Sequence, residues 1–554
     1  LGPFERQDTR LLMSTSIPFH RIKRAAVLGS GVMGSAIACH LAQCGAEVLL
    51  LDLPSDEGPR NAIASGHLKK SLKSKPSPLY SKRFAKRIET GNFEDDLHKI
   101  AQCGWILEVV VERLDIKQQL FESVEQHRTP GTFITSNTSG IPMAMLVEGR
   151  SEDFKAHFCG THFFNPPRYL QLLEIIPGPD TRPEVLDFFM TYGECILGKQ
   201  TVLCKDTPAF IANRVGVFAI QALFHAVQEM GLSVEAVDKL TGPAMGRPKS
   251  ATFRTCDVVG IDTLVHVASG VAQNCPDDER AEVFGIPSFV QHLVDQGHLG
   301  SKSGQGFYKK VVQDGKKEIH ALDLKTLEYK PKQKVKFTTL DAAKQVDDLK
   351  SRTQLLFQGQ DQAGEFYRRI FADVFAYVSH RIPEISDEIF RVDDALRAGF
   401  GWELGAFESW DAIGLEAGLK ACADRELEVA SWVHDLVASG ATSFYGVADG
   451  KRTCWDVTSK THTTVPGQEG RIALSLLDQD KTVWSNSGTT IQDLGDGVLN
   501  IAFHTKMNTI GAEVIEGLNK VLDLAESDPK WRGVVISNEG GNFSAGANVG
   551  MIIM

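Results

Sequence analysis

Apolar residues in the first third of the chain come in short unbroken runs. Each run is followed by a stretch in which apolar residues recur every three or four positions. Ala25 to Leu28 is one such run, and the glycine-rich turn after it opens a predicted helix to about Cys44. Gly45 ends that helix, and Glu47 to Leu51 predicts a second strand closed by Asp52. "WILEVVVE" predicts a further buried strand ending at Glu112, with a helix behind it that carries Lys117. Strands this uniformly apolar belong to a sheet covered on both faces. From Asp206 onward the spacing becomes helical, as in "FIANRVGVFAIQALFHAVQEMG", which stops at a glycine. After about Asp480 the pattern changes once more. "GVLNIAFH" alternates like a strand, "GAEVIEGLNKVLDLAES" is an amphipathic helix, and "RGVVISN" is another strand.

Composition narrows the class. At 554 residues the chain is too long for one core, and about 150 residues per domain predicts three or four. A formal net charge of −11 argues against a general nucleic-acid binder. Ten scattered cysteines without a CxxC pair predict reduced thiols, hence a cytoplasmic protein, and no metal site. The apolar or small stretch from Ala25 to Cys39 is shorter than the ~20 residues a membrane span needs, and no other segment has that character. Residues 1–20 are expected to form a tail without a fold; the first twelve precede Met13.

Candidate chemistry begins at "VLGSGVMGSAIAC". Gly29, Gly31 and Gly34 make G-x-G-x-x-G between strand and helix, with Met33 inside the motif. Gly29 suits the tight turn, Gly31 a close approach to a pyrophosphate, and Gly34 close helix–strand packing. The helix start offers N–H groups and partial positive charge to phosphates. Asp52, 18 residues after Gly34, suits ribose hydroxyls and opposes a 2′-phosphate, so NAD is expected over NADP. Glu112 and Lys117, at the carboxyl end of a strand, are placed to reach the same cofactor.

"SNTSG", "THFFNPP" and "LLEIIPG" follow, then "DTPAFIANR" and "GSKSGQGFY". In this order, from Arg21 to about Lys310, the chain resembles the 3-hydroxyacyl-CoA dehydrogenase family. The resemblance implies NAD-dependent oxidation of (S)-3-hydroxyacyl-CoA to 3-oxoacyl-CoA in fatty-acid β-oxidation. It implies His162 as the base, oriented by Glu174, with Ser139 and Asn213 hydrogen-bonding the reacting oxygen. Asn165 would hold the nicotinamide side, and Lys302 would lie near the cofactor. The basic run around Ser71 would meet the phosphates of coenzyme A, with Ser71 a substrate contact. Besides the acyl-CoA substrate, a thiolase partner and an oligomer fit such an enzyme. Two alternatives compete: an NAD-linked dehydrogenase of another 3-hydroxy acid, which would usually rely on a lysine base, and a non-catalytic protein on the same fold.

An internal repeat follows. "VDKLTGPAMGRPKSATFRTCDVVG" and "VDDALRAGFGWELGAFESWDAIG" pair Gly246 with Gly401, Asp257 with Asp411, and Gly260 with Gly414. A duplicated helical domain is expected, its second copy supplying a partner internally. "LEYKPKQKVKF" between the copies is charged and proline-containing, and predicts a linker. "GGNFSAGANVG" after the last strand resembles the start of the enoyl-CoA hydratase family, with the N–H of Ala547 as oxyanion donor. The expected architecture is α/β. It comprises a tail (1–20), a Rossmann-type NAD domain (21–204), a helical acyl-CoA or dimerisation-type domain (205–311), a linker (312–360), a second helical domain (361–480), and an incomplete hydratase-like fragment (481–554). That last fragment, too short for a full hydratase core, suggests a piece of a longer bifunctional enzyme.

Overall fold

In β1 (Arg24–Leu28) the last four side chains are buried in succession, so the strand needs cover on both faces. A computed structural model supplies that cover. It describes residues 21–313, 316–468, 472–540, 542–548 and 550, so the predicted tail lies outside the described residues. β1 continues through α1 (Val32–Gln43) into β2 (Glu47–Asp52), close to the predicted boundaries. α2 (Ala62–Ser71), β3 (Ile88–Asn92), β4 (Trp105–Glu108), α3 (Leu114–His127) and β5 (Phe133–Ser136) follow. β6 (Phe158–Phe163), β7 (Leu172–Pro177) and β8 (Gln200–Leu203) complete an eight-stranded sheet of order β3-β2-β1-β4-β5-β6-β7-β8. All its pairs are parallel except β6–β7. The connections diverge between β1 and β4, the switch point where open α/β sheets bind ligands.

The strand expected to end at Glu112 ends at Glu108. Val109 still donates to Leu28 O at 2.7 Å, but the N–H of Val110 turns onto the Glu108 carboxylate at 2.7 Å, which ends the ladder. The chain then bends past Gly29, where a Cβ would stand 2.6 Å from Val109 O.

The helical part contains the repeat. Ala212–Met230 and Gln362–His380, both 19 residues long, pack together, with Phe218 stacked on Tyr377 at 3.6 Å between ring centroids. Arg214 is buried between Tyr377 Oη and Asp278, each at 2.6 Å. Gly246 and Gly401 adopt φ of +68° and +67°, a left-handed conformation that costs glycine little. Gly260 and Gly414 also share a conformation, with φ of +112° and +104°. Asp257 accepts from the N–H of Phe307 and Tyr308, and Asp411 from that of Phe444, so the matched residues repeat a contact as well as a position.

The expected linker is structured. β9 (Tyr308–Gln313), β10 (Lys316–Leu322) and β11 (Tyr329–Pro331) form an antiparallel sheet, and helices Thr338–Ala343 and Leu349–Gln358 follow. Ala321 and Leu322 at the end of β10 are buried while Val312 and Ile319 stay exposed, so a polar composition concealed a sheet that packs at one end. The second helical stretch ends at Ala438. The described residues up to Phe444, with Asp456–Lys460, form one compact unit; Tyr445–Trp455 and the described residues from Thr461 onward form another. The boundary expected at 480 therefore falls earlier. Within the smaller unit, strands Thr482–Ser485, Thr489–Asp493, Val498–Phe503 and Gly533–Ile536 carry helix Ala512–Ser527 over a small core of Ile491, Leu499, Ile501, Phe503, Val514 and Val521. Among the described residues no single helix is long and apolar enough to cross a membrane.

Candidate active site

β6 and β7 are the one antiparallel pair in the large sheet, and their register sets His162 opposite Glu174. His162 Nδ1 lies 2.7 Å from Glu174 Oε2, and both side chains are buried. With a carboxylate as acceptor, the imidazole proton sits on Nδ1 and the lone pair on Nε2. The other carboxylate oxygen, Oε1, accepts the N–H of Ile211 at 3.2 Å and of Ala212 at 2.8 Å. These amides open the helix that carries Asn213 as its second residue, so Glu174 joins the histidine to that helix start.

Aromatic rings close the site around the imidazole. Phe164 and Phe210 stand edge-on to His162, with centroids at 4.7 and 5.6 Å. Ala209 and Phe210 have φ of +63° and +51°. Two consecutive non-glycine residues in this region store strain, which structures tolerate chiefly where function requires it. "DTPAFIANR" did not announce this conformation; only its position before the Asn213 helix hinted at a role.

Glu112, Lys117 and Ser139 form a second cluster. Lys117 is buried and pairs with Glu108 at 2.7 Å and Glu112 at 3.1 Å. Glu112 Oε1 accepts from Thr138 Oγ1 at 2.5 Å and from the N–H of Ser139 at 2.8 Å, tying the bend after β4 to the loop after β5. Burial works to raise the Glu112 pKa, but Lys117 and these donors outweigh it and hold the carboxyl below its usual range. Lys117 is thus a brace beneath Glu112.

The glycine loop shows the features a dinucleotide requires. A Cβ on Gly34 would lie 1.8 Å from Gly29 O, whereas one on Gly31 would meet nothing within 4 Å. The loop is therefore closed at Gly34 and open at Gly31. Gly31 caps α1 without a side-chain hydrogen bond, which leaves the first N–H groups of the helix for phosphate oxygens. Met33 packs against the domain core. Asp52 Oδ2 accepts the N–H of Ser30 at 2.7 Å and also the Ser30 hydroxyl. Ser30 in turn meets His67 Nδ1 at 2.8 Å. Spacing in the sequence does not mark the side chains of Ser30 and His67 for this role. Beside the loop lies a cleft of about 500 Å3 that brings Gly31, Ser71 and Asn165 together with Lys70, Lys75 and Arg168.

Residues 24–207 match the family model for the 3-hydroxyacyl-CoA dehydrogenase NAD-binding domain, and residues 210–310 match that for its C-terminal domain. The chain belongs to the 3-hydroxyacyl-CoA dehydrogenase family. As a member it is an NAD-dependent oxidoreductase. A probable 3-hydroxyacyl-CoA dehydrogenase of Bacillus subtilis is 44% identical over 96% of this chain and 68% of its own length. A putative fatty acid oxidation complex trifunctional enzyme of Rickettsia prowazekii is 28% identical over 96% of this chain and 70% of its own. The crystal structure of 3-hydroxybutyryl-CoA dehydrogenase from Escherichia coli superposes with a TM-score of 0.56. It is 22% identical and covers 76% of this chain and 99% of that one, which is a likeness of fold.

The structure also places Lys302 and, in the hydratase-like fragment, Ala547. Lys302 is exposed and paired with Asp262 at 2.5 Å, on the helical side. Ala547 lies in the smaller unit, where Gly546 O accepts from Ile510 N–H at 2.9 Å and Asn548 N–H donates to Ile510 O at 2.9 Å. In that parallel bridge the N–H of Ala547 points away from Ile510.

Proposed function

We propose that the chain oxidises (S)-3-hydroxyacyl-CoA to 3-oxoacyl-CoA, as a step of fatty-acid β-oxidation, with His162 as the base. The buried His162–Glu174 pair carries this reading. Nε2 of His162 takes the hydroxyl proton, and Glu174 stabilises the imidazolium that forms. NAD, when bound, accepts the hydride. Ser139 and Asn213 donate to the reacting oxygen and favour its alkoxide character. Asn165 orients the nicotinamide side, and Gly31 admits the pyrophosphate. Ser71, Lys70, Lys75 and Arg168 give the adjoining cleft the cationic and polar lining that coenzyme A phosphates need. A lysine base is disfavoured, because Lys117 is already committed to two carboxylates.

The fatty acid oxidation names of several relatives support a thiolase partner that takes the 3-oxoacyl product. In the smaller unit, the N–H of Ala547, which points away from Ile510, would serve as the oxyanion donor.

The test is NADH formation from 3-hydroxybutyryl-CoA by the wild type and by His162→Gln. Activity that falls by about a hundredfold or more in a folded, NAD-binding variant supports the base. Equal activity in both removes His162 from the mechanism.

A further inference from the structure

The "KPKQKVKF" segment, expected as a linker, forms one wall of a cleft of about 880 Å3. After β11 the chain runs back along helix Val234–Leu240. The N–H of Gln333 donates to Glu235 Oε1 at 3.0 Å, and Lys239 donates to Val335 O. Lys332, Lys334 and Lys336 recur at every second position, and all three line the cleft. Lys309 and Lys310 of β9 also line it, with further cations from Lys249 and Arg254.

Eight cationic and two acidic side chains thus share one concavity in a chain whose net charge is −11. Both acids are committed to protein donors. Glu235 holds Gln333, and Asp238 accepts the Tyr308 hydroxyl at 2.8 Å and the N–H of Phe253 at 2.7 Å. Among the described residues Lys249, Lys310, Lys334 and Lys336 make no ion pair. Crowded like charges raise the free energy of the empty cleft, and a multiply charged anion lowers it. The shape favours a small ligand over a membrane, which would meet a flat basic face. The volume lies within the range of small-molecule sites. Lys332 stands 5.7 Å from the ring centroid of Tyr308, so one wall pairs a cation with an aromatic ring.

We propose that this cleft, which shares no lining residue with the cleft beside Gly31, binds a phosphorylated ligand of nucleotide size. The chemistry is that of a nucleoside polyphosphate, and its source is either a free nucleotide or the nucleotide end of a coenzyme A ester.

Inorganic tripolyphosphate is the probe, titrated calorimetrically into the full chain with the dinucleotide site saturated by NAD. The comparison variant combines Lys332→Gln, Lys334→Gln and Lys336→Gln, and a second variant carries Glu at the same positions. All three side chains are exposed, so an unchanged circular dichroism spectrum and unfolding midpoint serve as the folding control. The wild type is expected to bind one tripolyphosphate at this cleft, more weakly as salt rises. Affinity should drop roughly tenfold in the Gln variant and further in the Glu variant. Displacement by ADP marks a free nucleotide as the source, and displacement by coenzyme A alone marks the ester. No binding by wild type, equal binding by folded variants, or displacement by neither ADP nor coenzyme A overturns the proposal. So does lysine-dependent capture on phosphatidylserine vesicles without competition by nucleotide.

Discussion

Glu174→Gln isolates what the carboxylate does for His162. Glu174 is fully buried and accepts three hydrogens: from His162 Nδ1 at 2.7 Å, Ile211 N at 3.2 Å and Ala212 N at 2.8 Å. Glutamine offers one oxygen and one NH2 group in the same volume. If the NH2 turns toward Ile211 and Ala212, donors face donors, and the orphaned amides cost about 1–3 kcal/mol of stability. If it turns toward His162, it donates to Nδ1 and drives the proton to Nε2, the atom that must accept one. Either way the imidazolium loses its anionic acceptor, a difference worth about 1.5–3 kcal/mol. At about 1.4 kcal/mol per decade, that is a loss of roughly 10–150-fold in kcat. NADH formation from 3-hydroxybutyryl-CoA measures kcat, and fluorescence titration measures NAD binding, which should change little because Glu174 does not line the Gly31 cleft. A folded variant with kcat within about twofold of wild type would refute the argument that Glu174 acts through His162.

Two further perturbations test how the site is supported. A Cβ on Gly399 would stand 2.7 Å from Leu172 Cδ2, 3.4 Å from Ala212 Cβ and 3.6 Å from the Phe164 ring. Gly399→Val should therefore cost about 1–3 kcal/mol in chemical denaturation through overpacking, and lower kcat as Phe164 shifts against His162; wild-type kcat and midpoint together would show that the second repeat does not brace the site. Lys199 is buried and donates to the carbonyls of Pro167 and Leu170 on the loop that carries Asn165, and burial lowers its pKa from 10.5 to about 8. The folded protein then binds this proton more weakly than the unfolded chain, so the burden is full below pH 8 and is relieved as pH rises toward 10.5. The unfolding free energy of wild type relative to Lys199→Met should accordingly rise across that window, and a flat or falling difference would count against a charged, buried Lys199.

Much of the dinucleotide half was legible because its signals are local. Apolar runs, a glycine spacing and a terminal Asp52 lie within one βαβ stretch, and β1, α1 and β2 formed close to where the pattern put them. The repeat was legible for a similar reason. Gly246 and Gly401 hold a backbone conformation that few other residues adopt cheaply, so the same letter marks the same turn twice. Local reading failed where a distant group intervened. The valines after Glu108 have strand character, but a carboxylate captured the next amide and ended the strand. The lysines of "KPKQKVKF" look like a solvated linker until the chain lays them along Val234–Leu240.

Sequence alone determined the order of elements, the glycine cradle, and the residue types available for the chemistry, because periodicity and backbone permissiveness act over a few neighbouring positions. Only the tertiary structure decided that Glu174 also grips the amides of Ile211 and Ala212, 37 and 38 residues onward. It alone set Gly399 against Phe164, and gathered eight cations around one cleft. Such contacts arise when whole surfaces pack together. Their partners are fixed by the shape of everything between them, which no short stretch of sequence contains.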